Sequence, residues 1–336
     1  MPLGNFIIAI LVFVVIVLIH EFGHFIIAKL SGIRVEEFAI GMGPKIFGSE
    51  KGETLYSLRL IPIGGFCKLT GEDEESDDSK AFGKKPIFTR IAVIFFGPLM
   101  NFLLAALIFS LVIIQVPVIN EVIIDKPAYS AGIQKGDKIV EINGNKIKDW
   151  NEVKSIISSN TGEPLKITLQ RNNQIKEVSV IPVVENEQEG PIVGIKPSLK
   201  VSGISLTQGL KSTYEISSSM FDFLIKLFTG RASTEEVSGP VGIFVFINEA
   251  AKIGFLYVLN LTAFLSLNLG IINLLPIPAL DGGRLMFLII ELIRKKPIDA
   301  EKEGFINFVG FVMLMVLAVI IAYRDLIRFN IINIFR

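Results

Sequence analysis

Only two histidines occur in the 336 residues of this chain, and they stand four apart in His20-Glu21-Phe22-Gly23-His24. On a helix, positions i and i+4 share a face, so both imidazoles can reach one metal ion. Glu21 then lies beside that ion, placed to act on water as a general base. Catalytic zinc ordinarily takes three protein ligands and keeps one position open. No histidine remains and Cys67 is the only thiol, so the third ligand falls to a carboxylate. Asp281 is the candidate. It follows Asn273-Leu274-Leu275-Pro276-Ile277-Pro278-Ala279-Leu280 and precedes Gly282-Gly283. The prolines break a helix and free backbone groups that need cover at membrane depth, while the glycines let backbone close around the carboxylate. Taken alone, Asp281 would serve equally as the N-cap of a helix over Arg284–Ile293. Beside the histidine pair, the ligand reading prevails.

The elements that carry these residues are apolar. Hydrophobic residues make up 51% of the chain, and they come in blocks. Met1–Ile19 has no charged side chain and its apolar pattern continues to Ala28, while Ile91–Asn120, Ile253–Leu280 and Gly304–Tyr323 are uncharged throughout. A hydrocarbon core of about 30 Å needs about 20 helical residues. The blocks therefore predict a polytopic α-helical membrane protein with four transmembrane helices, over about 3–28, 91–116, 253–275 and 304–323. A removable signal peptide is the weaker reading of the first block, because no basic region precedes Leu3 and polar residues of catalytic type stand where a cleavage site would be expected. Ionisable groups inside a span are costly and by default functional, and three share one turn here. Lys+Arg and Asp+Glu both number 33, so net charge gives no attraction to nucleic acid. A lone cysteine excludes a disulfide framework.

Basic residues orient the spans. Lys29, Arg34, Lys45, Lys80, Lys84, Lys85 and Arg90 lie between the first two blocks, and Arg294, Lys295, Lys296 and Lys302 between the last two. The positive-inside rule places both connections in the cytoplasm, against a milder opposing signal from Arg324, Arg328 and Arg336. Residues 121–252 then lie outside. Within them Val118–Ile123, Lys138–Ile142, Leu165–Leu169 and Ile175–Ile181 read as strands, Asn172-Asn173 as a turn and Trp150–Ser159 as a helix. Ala131-Gly132-Ile133-Gln134-Lys135-Gly136-Asp137-Lys138-Ile139, followed by Ile142-Asn143-Gly144, resembles the core of a PDZ domain, an inserted extracytoplasmic α+β unit placed at 117–200. The membrane domain thus falls into parts at 1–116 and 253–336. Between them, 201–252 reads as an interfacial linker with an amphipathic helix over Leu210–Leu227. Val237–Asn248 is too short to span, and the acidic run Glu72–Asp78 reads as a solvated loop.

Taken together, these motifs resemble the site-2 protease family of intramembrane zinc metalloproteases, in its bacterial form with one PDZ domain. His20–His24 and Asn273–Gly283 match its zinc motif and its N-x-x-P-x-P-x-L-D-G motif. Gly97-Pro98-Leu99-Met100-Asn101, Pro62–Lys68 and Ser238–Ile243 match its second segment, its membrane-dipping loop and a stretch before the third span. The resemblance implies one catalytic zinc held by His20, His24 and Asp281, with Glu21 as general base. It assigns substrate binding to Asn273 and to Gly64 and Gly65 in the loop; Asn101, Pro276 and Pro278 are grouped with them as candidates, Asn101 equally able to support the site or to pack between helices. It also implies a bacterial plasma-membrane enzyme, active toward the cytoplasm. Its expected substrates are single-pass membrane proteins, such as anti-sigma factors or remnant signal peptides. The PDZ unit would bind a peptide or filter substrates by size. Cys67 departs from the apolar residue usual there and has no assigned role. From another class, a PDZ-bearing membrane scaffold or chaperone with a structural zinc is the alternative, which a fourth protein ligand would favour.

Overall fold

A computed structural model describes residues 3–331, apart from 73, 75, 161, 185–189, 232–236 and 297. The chain begins with α1 (Leu3–Leu30), β1 (Val35–Lys51), β2 (Thr54–Leu69) and α2 (Ile87–Phe109). Next come β3 (Leu111–Val122), α3 (Pro127–Ser130), β4 (Lys138–Ile142), β5 (Asn145–Lys146) and α4 (Trp150–Ser158). Strands β6 (Leu165–Arg171), β7 (Gln174–Val180), β8 (Val183–Val184), β9 (Pro191–Ile192) and β10 (Ile195–Ile204) follow. The chain closes on α5 (Leu206–Phe228), α6 (Pro240–Ile253), α7 (Phe255–Leu274), α8 (Asp281–Arg294) and α9 (Ala300–Arg328). Residues 111–204 form one unit, and the segments before and after form another.

In the helical unit, α1, α2, α7 and most of α9 are long and apolar enough to cross a bilayer. Phe305, Phe308, Phe311 and Met313 of α9 are exposed, as lipid-facing side chains are. The second span is shorter than its hydropathy suggests. It ends at Phe109, where the Ser110 hydroxyl donates to the Leu107 carbonyl at 2.6 Å, and residues 111–116 belong to β3 instead. An unbroken aliphatic run reads alike as a buried helix or a strand, and here Leu111–Val116 pairs with Ser198–Ile204 of β10. The β-rich unit accordingly runs 111–204 rather than 117–200. The stretch expected as a linker at 201–252 starts in β10 and holds two helices, α5 and α6. The first packs on α2 and α7. The second begins on a carboxylate from elsewhere: Asp325 of α9, 2% exposed, accepts the N–H groups of Gly239 at 2.9 Å and Gly242 at 2.7 Å. Those N–H groups have no partner within their own helix, so they satisfy a charge that an apolar span could not otherwise hold.

Strands β1 and β2 fold back on themselves. Residues 37–40 pair with 65–68 on one side and with 55–58 on the other, and 45–51 pair with 54–59. Gly41 and Gly43, at φ of 85° and 82°, make the bend. Met42, Ile46, Phe47, Leu60 and Ile61 are exposed at the far end, an apolar tip suited to dip into a bilayer. The acidic run Glu72–Asp78 lies partly outside the described residues.

The β-rich unit is built on an antiparallel sheet in the order β10-β3-β4-β6-β7. Ile139, Ile142, Ile167 and Leu169 are fully buried against Trp150, Val153 and Ile157 of α4. Asn172 and Asn173, at φ of 49° and 64°, supply the paired positive dihedrals that a two-residue hairpin needs. One buried charge stands out. Asp137, 0% exposed, accepts from Arg171 Nε at 2.6 Å and Nη2 at 2.7 Å and from the Gln134 N–H at 2.8 Å. Burial pushes this carboxyl upward, but those donors outweigh it and hold its pKa below the ordinary 3.8. Its stabilising effect is therefore complete above that value and is lost as pH falls through the folded one. Asp137→Ala should destabilise this unit by about 3 kcal/mol at neutral pH, because the guanidinium loses its buried partner. Hydrogen exchange of β6 amides in the full chain checks this, and the difference from wild type should shrink in acid.

Candidate metal centre

α1 places His20 and His24 one above the other, both buried. The face they share meets α2 at very short range. A Cβ on Gly23 would lie 2.2 Å from the Phe96 carbonyl oxygen, and one on Gly97 would lie 2.2 Å from His24 Nε2. Only glycine at both positions permits this crossing. The proximity gives each ring a fixed partner. His24 Nδ1 donates to the Val93 carbonyl at 2.9 Å, and His20 Nδ1 lies 3.2 Å from the amide of Asn101. Asn101 is 0% exposed, its backbone carbonyl accepts from the Ser266 hydroxyl at 3.0 Å, and its Oδ1 otherwise has no partner. With Oδ1 turned toward the ring, that oxygen accepts the Nδ1 proton and is satisfied. Both rings then point a bare Nε2 lone pair inward.

Asp281 arrives from the other side of the unit. The chain leaves α7 at Leu274, and Ala279 adopts φ of 72°, a left-handed conformation costing about 1 kcal/mol for a non-glycine residue. The Ala279 N–H donates to Asn307 Oδ1 at 3.1 Å, and Pro278 packs on Gly310 of α9. α8 then starts with Gly282 and Gly283 pressed on the Leu275 and Ile277 carbonyls, where a Cβ would approach to 2.1 and 2.4 Å. This sets Asp281 Oδ2 at 3.0 Å from His20 Nε2 and 3.5 Å from His24 Nε2, while the two Nε2 atoms lie 3.3 Å apart. The donors fit zinc. A tetrahedron with arms of about 2.0–2.1 Å has edges of about 3.3–3.4 Å. Oδ2 is buried without a hydrogen bond, so a metal-ligating oxygen stands unsatisfied beside the two imidazole nitrogens. Among the described residues, His20, His24 and Asp281 form the one cluster of this kind.

The other residues singled out from sequence divide. Asn273 reaches the centre, its amide nitrogen 3.4 Å from His20 Nε2. Glu21 lies against β2: a Cβ on Gly65 would sit 3.7 Å from Glu21 Cγ, and Gly64 adopts φ of 86° beside Met42. Residues 65–69 pair with β1 along one edge, and among the described residues no strand pairs with the other. Asn101 stands apart from these. It is fully enclosed and faces His20 from behind. Pro276 is exposed and Pro278 packs on α9, so both shape the loop before Asp281. Cys67 brings no thiolate to the site, because burial, then the charge of Glu21, pushes its thiol up to about 12. Gly23, Gly97 and Val93 went unseen as site residues. Only the G-P-x-x-N pattern hinted at the second of them.

The sequence profile of peptidase family M50 matches residues 8–317. A Clostridium acetobutylicum protein named as a candidate zinc metalloprotease is 39% identical over 335 residues, covering 97% of this chain and 98% of its own. The zinc metalloprotease RasP of Geobacillus kaustophilus is 34% identical, covering 95% of this chain and 97% of its own. The regulator of sigma-W protease RasP of Bacillus subtilis is 32% identical with the same coverage. A solved PDZ domain of a Listeria innocua SdrC-like protein is 30% identical over 25% of this chain and 92% of its own, with a TM-score of 0.22.

Gly97→Ala places a methyl group where the His24 ring stands. It should lower zinc affinity at least about tenfold, the range seen when a ligand's support is disturbed. Metal content of the purified protein under chelator competition measures this, and unchanged content would mean that the ring has room.

Proposed function

The chain belongs to peptidase family M50, the site-2 type of intramembrane zinc metalloprotease, and we propose that His20, His24 and Asp281 hold its catalytic zinc while Glu21 moves the protons. The observation that carries this is the triangle of three donor atoms, His20 Nε2, His24 Nε2 and Asp281 Oδ2, within 3.5 Å of one another. When bound, the zinc polarises the scissile carbonyl and makes water nucleophilic near neutral pH. Glu21, adjacent to His20 on the same helix, takes one proton from the attacking water and returns it to the leaving amide nitrogen. The C–O bond forms as Glu21 takes the proton, and the C–N bond breaks once Glu21 has delivered that proton to the nitrogen, leaving a carboxylic acid and an amine.

A peptide bond inside a helix is shielded, so cleavage requires a locally extended substrate. The edge of residues 65–69 that no described strand pairs with lies beside Glu21 and offers backbone partners to such a segment. Gly64 and Gly65 keep that approach free of side chains, and Asn273 donates to the substrate backbone beside the metal. We assign single-pass membrane proteins as the substrates, anti-sigma factors and remnant signal peptides among them. The charge distribution supports a bacterial plasma-membrane orientation with the metal toward the cytoplasm and the PDZ-like unit outside, where it binds a peptide or admits only trimmed substrates.

The test is cleavage of a model transmembrane substrate by the purified full chain. Glu21→Gln should reduce turnover by about 10³-fold or more while leaving bound zinc intact. Asn273→Ala should lower kcat/KM about tenfold through one lost hydrogen bond, again with zinc retained. Undiminished cleavage by the Glu21 variant would contradict the assignment.

A further inference from the structure

α8 contributes one residue to the metal centre, Asp281, at its first position. The histidines stand on α1, yet α8 rests chiefly on α2. The placement of Asp281 is thus relayed through α2, which meets His24 at Val93 and Gly97 and His20 at Asn101. The near end of α8 is held by Gly282 and Gly283 against the loop carbonyls. Its far end is held by an ion pair. Arg90, in the first turn of α2, meets Glu291 fork to fork: Nη1 donates to Oε2 at 3.0 Å and Nη2 donates to Oε1. The two side chains are only 13% and 17% exposed. Arg284, one turn beyond Asp281, is paired in addition with Glu72 from the loop after β2.

A half-buried ion pair is a weak source of stability, because desolvating both charges offsets much of their attraction, and an apolar pair would hold two helices together as well. What the fork adds is a fixed register and direction. Glu291 lies ten residues from Asp281, about 15 Å along the helix. A small tilt at one end therefore moves the other.

We infer that Arg90 and Glu291 are positioning residues for the third metal ligand: their pairing sets the tilt of α8 on α2 and so brings Asp281 Oδ2 onto the two histidine nitrogens. This rests on the assignment of His20, His24 and Asp281 as zinc ligands.

The experiment measures zinc affinity of the purified full chain by competition with a chromophoric chelator, alongside thermal unfolding. The apolar double variant Arg90→Met/Glu291→Leu should melt near the wild-type temperature yet bind zinc ten- to hundredfold more weakly, the range expected when a ligand loses its support. The exchanged pair Arg90→Glu/Glu291→Arg should recover affinity to within about threefold, since the fork is restored in reverse. Wild-type affinity in the folded apolar variant overturns the inference, because packing alone would then suffice. An exchanged pair that folds but binds no better than the apolar variant overturns it too. A wild-type chain that holds no zinc overturns the ligand assignment as well, which separates the two failures.

Discussion

The structure depends on keeping three lone-pair donors within 3.5 Å of one another inside an apolar helical unit. Without a cation among them they repel, and without enclosure they hydrate. Two helix crossings meet the condition. α1 and α2 approach through Gly23 and Gly97, which places Val93 and Asn101 behind the two rings and turns each Nε2 inward. α8 approaches through Gly282 and Gly283 and delivers a carboxylate at its first residue. Any side chain larger than hydrogen at these crossings would separate the helices by more than the donors tolerate.

Around that centre the fold supplies what intramembrane hydrolysis needs. The folded-back hairpin β1–β2 brings beside Glu21 a strand edge that no other described strand pairs with, and its exposed apolar tip suits a bilayer. Buried charge elsewhere is matched to donors built for it, as with Asp325 at the start of α6 and Asp137 against Arg171. The β-rich unit has its own core and its own ion pair. Its stability can therefore be altered without touching a metal ligand.

Much of this was legible in the sequence. Four apolar blocks gave the spans, and the scarcity of histidine made the spacing of His20 and His24 informative. The need for a third ligand then pointed to Asp281. The second span was misjudged at its end, because aliphatic runs carry no sign of where a helix becomes a strand. Asn101 was grouped with the substrate contacts, since residue type alone does not reveal which side of a histidine an amide occupies. Gly97 and the Arg90–Glu291 pair depend on helix crossings between segments up to 201 residues apart, which no local pattern encodes.

The most direct measurement is zinc K-edge X-ray absorption on the wild-type chain and on Asp281→Cys. The wild type should show only nitrogen and oxygen neighbours at about 2.0–2.1 Å, and the variant should add one sulfur at about 2.3 Å. A sulfur neighbour in the wild type, or none in the zinc-loaded variant, would contradict a centre built from His20, His24 and Asp281.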